Sequence, residues 1–205
     1  DVEDYWNPDE LPAGPVLLLG SGQSGCQIAE ELHQSGRTVF LACGRAPWAP
    51  RRIGDHDLVW WALETGFLDV PLSSLPDPRA RLAANVLTTG HDGGHDLHLR
   101  TLQRMGVTLL GHFLGGEGHQ ARFAPDLGES VAWGDQRNAE FMDLVRKLVA
   151  ERGLELPEIP EPEPFVPRAA VVLRTRAAAI AQGEDVPLRI QLWTERGCYV
   201  SSLFI

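Results

Sequence analysis

The sequence predicts an α/β protein: a parallel sheet with helices on both faces, a small β-hairpin and an irregular C-terminal tail. Three observations predict it. The continuous apolar run Val16–Leu19 suits a strand buried on both faces, as strands of parallel sheets are. Gly20, Gly22 and Gly25 follow at G-x-G-x-x-G spacing, and residues 23–35 then carry Ile28, Ala29 and Leu32 at helical spacing. A second apolar run over 38–43 completes a strand–glycine turn–helix–strand unit, and a further helix and strand follow at 97–110.

Taken in order, residues 1–14 are acidic and proline-bearing without periodicity, and read as a linker or arm. Tyr5 and Trp6 on it either pack on something outside the domain or cover the edge of its own sheet. The glycine turn follows the first strand. Gly20 permits the tight turn, Gly22 lets a pyrophosphate approach the backbone, and Gly25 lets the helix pack on the strand. Gly36 is placed to cap that helix. A helix N-terminus offers N–H groups and partial positive charge to phosphates. Gly20, Ser21, Gly22, Gln23, Ser24 and Gly25 are therefore candidate cofactor-binding residues in a Rossmann-like unit.

The end of the second strand selects the nucleotide. NAD binders carry Asp or Glu there for the ribose hydroxyls. This strand ends Ala42-Cys43-Gly44-Arg45, with no acid, and Arg51 and Arg52 follow. A guanidinium suits a 2′-phosphate through bidentate, charge-assisted bonds. Gly44, Arg45, Arg51 and Arg52 join the candidate site, and NADP is favoured over NAD. The bland alternative makes these arginines a solvated loop.

Residues 53–85 read as an insertion before the next helix. A short helix is expected over 57–65, where the adjacent Trp60 and Trp61 cannot share a face: one should be buried and the other should meet a loop or partner. The stretch TGHDGGHDLHLR at 89–100 brings His91, His95 and His98 beside Asp92 and Asp96. Its glycine pair makes a turn and no Cys or Glu completes a familiar ligand set, so no metal site is expected. Asp96 reads as the N-cap of a helix over 97–105, and 107–110 as a third strand. Residues 111–123 read as a hairpin, and 127–152 as a helix with Val131, Phe141, Leu144, Val145 and Leu148 on its apolar stripe. The domain plan is thus an arm at 1–14, a NADP-binding domain at 15–153, a Pro/Glu linker at 154–167 and a tail at 168–205. Within the tail, 168–182 could be helical, 186–193 alternates as a strand does, and 199–205 is an apolar run.

The 205 residues can hold one good core, with or without an appendage. A formal charge of −10 argues against nucleic-acid or anionic-membrane partners, and the basic cluster at Arg45, Arg51 and Arg52 stands out against it. Cys26, Cys43 and Cys198 lack metal-ligand spacing, which suits a reduced, cytoplasmic compartment. The sequence shows no signal peptide and no apolar run that spans a membrane.

Tyr5, residues 16–32 and Gly44-Arg45-x-x-Trp48 resemble the NADPH-binding domain of flavin-containing monooxygenases and related FAD-dependent oxidoreductases. The G-x-G-x-S-G form and the continuation Cys26-x-Ile28-Ala29-x-Glu31-Leu32 are its specific parts, and it is strongest over residues 1–50. The resemblance implies NADPH and FAD, with hydride delivered from NADPH to a flavin. Such enzymes also carry an earlier FAD-binding glycine turn, which this sequence lacks, so an FAD-binding domain or subunit is the expected partner. They also return from this region to the FAD domain through an apolar strand ending in Ala-Thr-Gly, which the tail lacks. No side chain reads as a catalytic acid, base or nucleophile. Ser24 fails the spacing of a nucleophile elbow. The alternative function is a non-catalytic or truncated NADP-binding module, a sensor or subunit that acts only with a partner.

Overall fold

The structure is a computed structural model that describes residues 4–77, 80, 85–117, 120–159, 161–167, 172–174 and 201–204. In chain order its elements are β1 Val16–Leu19, α1 Gln23–Gln34, β2 Val39–Ala42, β3 Arg52–Ile53, β4 His56–Asp57, α2 Leu58–Glu64, α3 Leu99–Met105, β5 Thr108–Leu110, β6 Phe113–Glu117, β7 Gln120–Phe123, α4 Leu127–Arg152, β8 Val172–Arg174 and β9 Ser201–Phe204. They form two compact units. The first takes the described residues of Asp1–Gly44, Leu99–Ser130 and Phe165–Ile205; the second takes those of Arg45–His98 and Val131–Pro164.

The first unit is built on a sheet of order β5-β2-β1-β9. β1 and β2 are parallel, with Val16 opposite Val39 and Leu19 opposite Ala42, and β2 and β5 are parallel, with Phe40 opposite Thr108. All four residues of β1 are buried, which is why its sequence is apolar without alternation. α1 and α3, which join the parallel strands, pack against each other. On one face of the sheet Leu17, Leu19, Ala42 and Leu110 pack with Ala121 and Phe123, so the β6–β7 hairpin closes that side. The expected α/β class and parallel sheet hold.

α1 ends where the sequence places its cap. Gly36 adopts φ 86°, its N–H reaches the His33 carbonyl, and the Arg37 N–H reaches the Leu32 carbonyl. This six-to-one closure needs a left-handed residue that only glycine supplies cheaply. The arm folds back on the same helix. The Tyr5 hydroxyl donates to Glu31 Oε2 at 2.7 Å, and the Arg37 guanidinium holds the carbonyls of Leu11, Pro12 and Gly14. Burial, then the Glu31 carboxylate, raises the Tyr5 phenol well above its ordinary range. Of the two arm aromatics, only Trp6 is left outside, 78 % exposed.

In the tail, β8 pairs antiparallel with β7, and β9 pairs antiparallel with β1. The helix read over 168–182 is corrected at Val172–Arg174, which is extended. The edge of β7 offers unpaired peptide groups, and Val172-Leu173 favours a strand over a helix. The strand read at 186–193 lies outside the described residues.

In the second unit, β3 and β4 form a two-residue ribbon with Arg52 opposite Asp57. Asp57 then caps α2 by accepting the Val59 N–H at 3.0 Å. The two tryptophans diverge as expected. Trp61 is buried and donates Nε1–H to the Ile53 carbonyl at 3.0 Å, while Trp60 stacks on His56 at 3.8 Å. Ala49, Ile53, Leu58, Trp61 and Ala62 pack against Phe141, Met142, Val145, Leu148 and Val149 of α4. Leu144 of the expected stripe is 37 % exposed, and Met142 and Val149 take its place. Gly134 sits inside α4, and a Cβ there would stand 2.7 Å from the Ala46 carbonyl oxygen. The helix accepts glycine so that this loop can come close.

One cap is misread in the sequence. α3 starts at Leu99 rather than 97, so His95 and His98 lie outside it and share no helix face. The Asp96 carboxylate accepts the Arg51 N–H at 2.6 Å instead of capping the helix.

Candidate nucleotide-binding site

β1, β2 and β5 run parallel, so their carboxyl ends share one edge of the sheet, the edge where open α/β sheets take ligands. Three short segments leave the sheet there: Gly20 to Gly25, Cys43-Gly44 and Gly111-His112.

The first is the glycine turn. Gly20 turns at φ 104°, and its N–H bonds the Ala42 carbonyl at 2.9 Å. Ser21 is buried, and its hydroxyl accepts the Gly44 N–H at 3.1 Å and donates to the Gly44 carbonyl at 3.2 Å. That side chain locks the exit of β1 to the exit of β2. Gly22 is the N-cap of α1, with no side-chain cap bond. Its φ of −72° and ψ of −177° suit any residue, and a Cβ on it would meet nothing within 4 Å. Neither conformation nor packing in this fold requires glycine at 22. Gln23 and exposed Ser24 open the helix, and Gly25 is buried beneath them.

The helix start carries no side-chain cap bond at Gly22. The first intrahelical bond is Cys26 N–H to the Gly22 carbonyl at 3.0 Å, so the amides before it face out of the helix axis. The nearby thiols are no nucleophiles. Burial pushes Cys26 well above its ordinary value and Cys43 up to about 12, so both stay protonated near neutrality.

The third segment holds a pair that sequence reasoning missed. His112 Nδ1 lies 2.5 Å from Asp126 Oδ2, and the His112 N–H donates to Asp126 Oδ1 at 3.0 Å. Burial alone would raise the Asp126 carboxyl, but the backbone N–H and imidazole of His112 outweigh it and hold the acid below its usual range. A Cβ on Gly44 would stand 3.3 Å from His112 Nε2. The available signal was position: a histidine one residue beyond the glycine that ends a parallel strand.

Gly20, Ser21, Gly22, Gln23, Ser24, Gly25 and Gly44 come together in the first unit, whereas Arg45, Arg51 and Arg52 belong to the second. Arg51 is committed there: its guanidinium pairs with Asp57 at 2.8 Å and reaches the Thr88 hydroxyl at 3.4 Å. Arg45 and Arg52 are exposed, and their side chains form no ion pair among the described residues. Among the described residues, no three His, Cys, Asp or Glu side chains gather as a metal site would need. No described helix is long and apolar enough to cross a membrane.

Comparison with known proteins gives partial matches. Over 71 residues the chain is 39 % identical to a protein of Geobacillus kaustophilus named uncharacterized oxidoreductase CzcO-like, covering 34 % of this chain and 20 % of that one. It is 38 % identical over 72 residues to the uncharacterized oxidoreductase CzcO of Bacillus subtilis, covering 35 % and 21 %. It is 38 % identical over 53 residues to human flavin-containing monooxygenase 5, covering 26 % and 10 %. The chain thus spans between a tenth and about a fifth of the length of these relatives. No family model and no solved structure matches it. The partial relatives are CzcO-like oxidoreductases and flavin-containing monooxygenases, the group that the glycine turn and its continuation resemble.

Proposed function

We propose that this chain is the NADPH-binding portion of an FAD-dependent oxidoreductase or monooxygenase, with a Rossmann-like unit at its centre. The observation that carries the reading is Gly22. The fold has no use for glycine there, yet the residue stands uncapped at the mouth of α1 with open space where a side chain would be. A phosphate approaching the backbone explains that choice. Bound NADPH would supply the hydride, and a flavin would receive it. The chain's own part is to hold the pyrophosphate on Gly22, Gln23 and Ser24, and the ribose end near Gly44, with Arg45 answering the 2′-phosphate. FAD is held by a domain or subunit other than these residues. Two buried free thiols, Cys26 and Cys43, favour a reducing, cytoplasmic setting.

The test is direct titration, followed by nicotinamide fluorescence. NADPH should bind saturably and NADH more weakly. Absence of saturable binding by either nucleotide would sink the reading.

A further inference from the structure

We propose that His112, aimed by Asp126, contacts the 2′-phosphate of the bound nucleotide and is a selector for NADP. The inference rests on the nucleotide reading above and adds a residue to it. Its first support is position. β5 is the neighbour of β2 in the sheet, and His112 leaves it at the carboxyl edge. In a strand–helix–strand dinucleotide unit, the residue at the end of the second strand meets the adenosine ribose. Here the chain passes that place as Gly44-Arg45, and Gly44 leaves the space beside the backbone open to another side chain. The His112 ring occupies the space just beyond it, with Nε2 3.3 Å from where a Gly44 Cβ would be.

The second support is orientation. Asp126 grips both the ring and the main chain of His112: Oδ2 lies 2.5 Å from Nδ1, and Oδ1 accepts the backbone N–H at 3.0 Å. A carboxylate on Nδ1 fixes the proton there and leaves Nε2 as the nitrogen that looks outward. The ring is 49 % exposed, so a ligand can reach it. A phosphate at Nε2 would accept a hydrogen bond from the doubly protonated ring, with the Asp126 carboxylate on its far side. Asp126 is the titratable group bonded to the ring, and the buried Cys43 thiol, which feels the Asp126 charge, stays protonated. Asp126 is a positioning residue in this scheme. It opens α4 but spends its carboxylate on His112.

A purely structural tie between the β5 exit and the start of α4 predicts something different, and two probes separate the cases. Adenosine 2′,5′-bisphosphate and 5′-AMP differ only in the 2′-phosphate. The full chain should prefer the bisphosphate, and His112→Gln should reduce that preference by about tenfold, the size of one charge-assisted bond, with AMP affinity unchanged. Asp126→Asn should lower the preference less, with AMP affinity again retained. An unchanged preference in His112→Gln overturns the proposal, and so does an equal loss for both probes. If wild type binds neither probe, the nucleotide reading itself fails. Should the variant not fold, ¹⁵N imidazole spectra of the wild type decide. The His112 Nε2 resonance should move with bisphosphate and stay with AMP, and the same response to both overturns the assignment.

Discussion

Replacing Gly22 with valine separates a binding turn from a packing turn. The fold side of the ledger is small. Gly22 sits at φ −72° and ψ −177°, extended backbone that a β-branched residue adopts freely, and its Cβ would meet nothing within 4 Å. A glycine N-cap is better than an aliphatic one by no more than about 1 kcal/mol. Thermal unfolding should therefore move by only a few degrees. The ligand side is large. The amides that precede the Cys26–Gly22 bond offer charge-assisted hydrogen bonds to a pyrophosphate, each contributing about 1.5–3 kcal/mol. An isopropyl group over the backbone holds the phosphates off at least two of them. The loss is then roughly 3–6 kcal/mol, or about a hundred- to ten-thousandfold in Kd. Calorimetric titration with NADPH, beside a melting curve, measures both sides. Gly22→Ala should lose less, because one methyl displaces the ligand less. A folded Gly22→Val that binds NADPH with wild-type affinity refutes the reasoning and leaves residues 16–45 as a packing unit.

Three other outcomes follow from the same geometry. Arg45→Ala should weaken NADPH by about 1.5–3 kcal/mol and leave NADH nearly unchanged, so paired titrations in which the preference survives would reassign the 2′-phosphate. Gly134→Ala should destabilise the chain by about 1–3 kcal/mol in urea unfolding although alanine is the better helix former, because its methyl would press on the Ala46 carbonyl; a stabilised variant would mean that the loop yields freely. The Asp126 carboxyl is held below its ordinary 3.8, so its stabilisation is present above that value and fades as pH falls through the lower folded value; the gap in urea midpoint between wild type and Asp126→Asn should be open at pH 6 and close in strong acid, and a gap that ignores pH would contradict this.

What the sequence showed, and what it hid, divides by range. β1, α1 and β2 are legible because every cue is local: an uninterrupted apolar run, glycines at fixed spacing, a capping glycine at 36. The ends of α4 are legible for the same reason, although its buried stripe shifts from Leu144 to Met142 and Val149 once a specific partner surface chooses the face. Asp96 shows where locality fails. Its carboxylate has two possible customers, the helix that follows and the Arg51 amide 45 residues away, and the distant one wins. The contacts of the Arg51 guanidinium with Asp57 and Thr88 are also absent from the local pattern, since Thr88 lies 37 residues away. His112 and Asp126 are 14 residues apart with a hairpin between them, and only the folded chain joins them. The tail strands declare themselves only by what they pair with, one on β7 and the other on β1.

The Ser21 hydroxyl grips the Gly44 peptide at both its N–H and its carbonyl. Loops that must be frozen by a ligand subtract their ordering entropy from its affinity. This one is frozen during folding, by one buried atom serving as donor and acceptor at once. If the proposed nucleotide binds, it meets a finished surface, and its arrival should be limited by diffusion and orientation rather than by rearrangement. The same grip makes affinity vulnerable at a distance. Without the hydroxyl the two strand exits are free to drift apart, and the subsites proposed for pyrophosphate and ribose would fall out of register with their own groups unchanged.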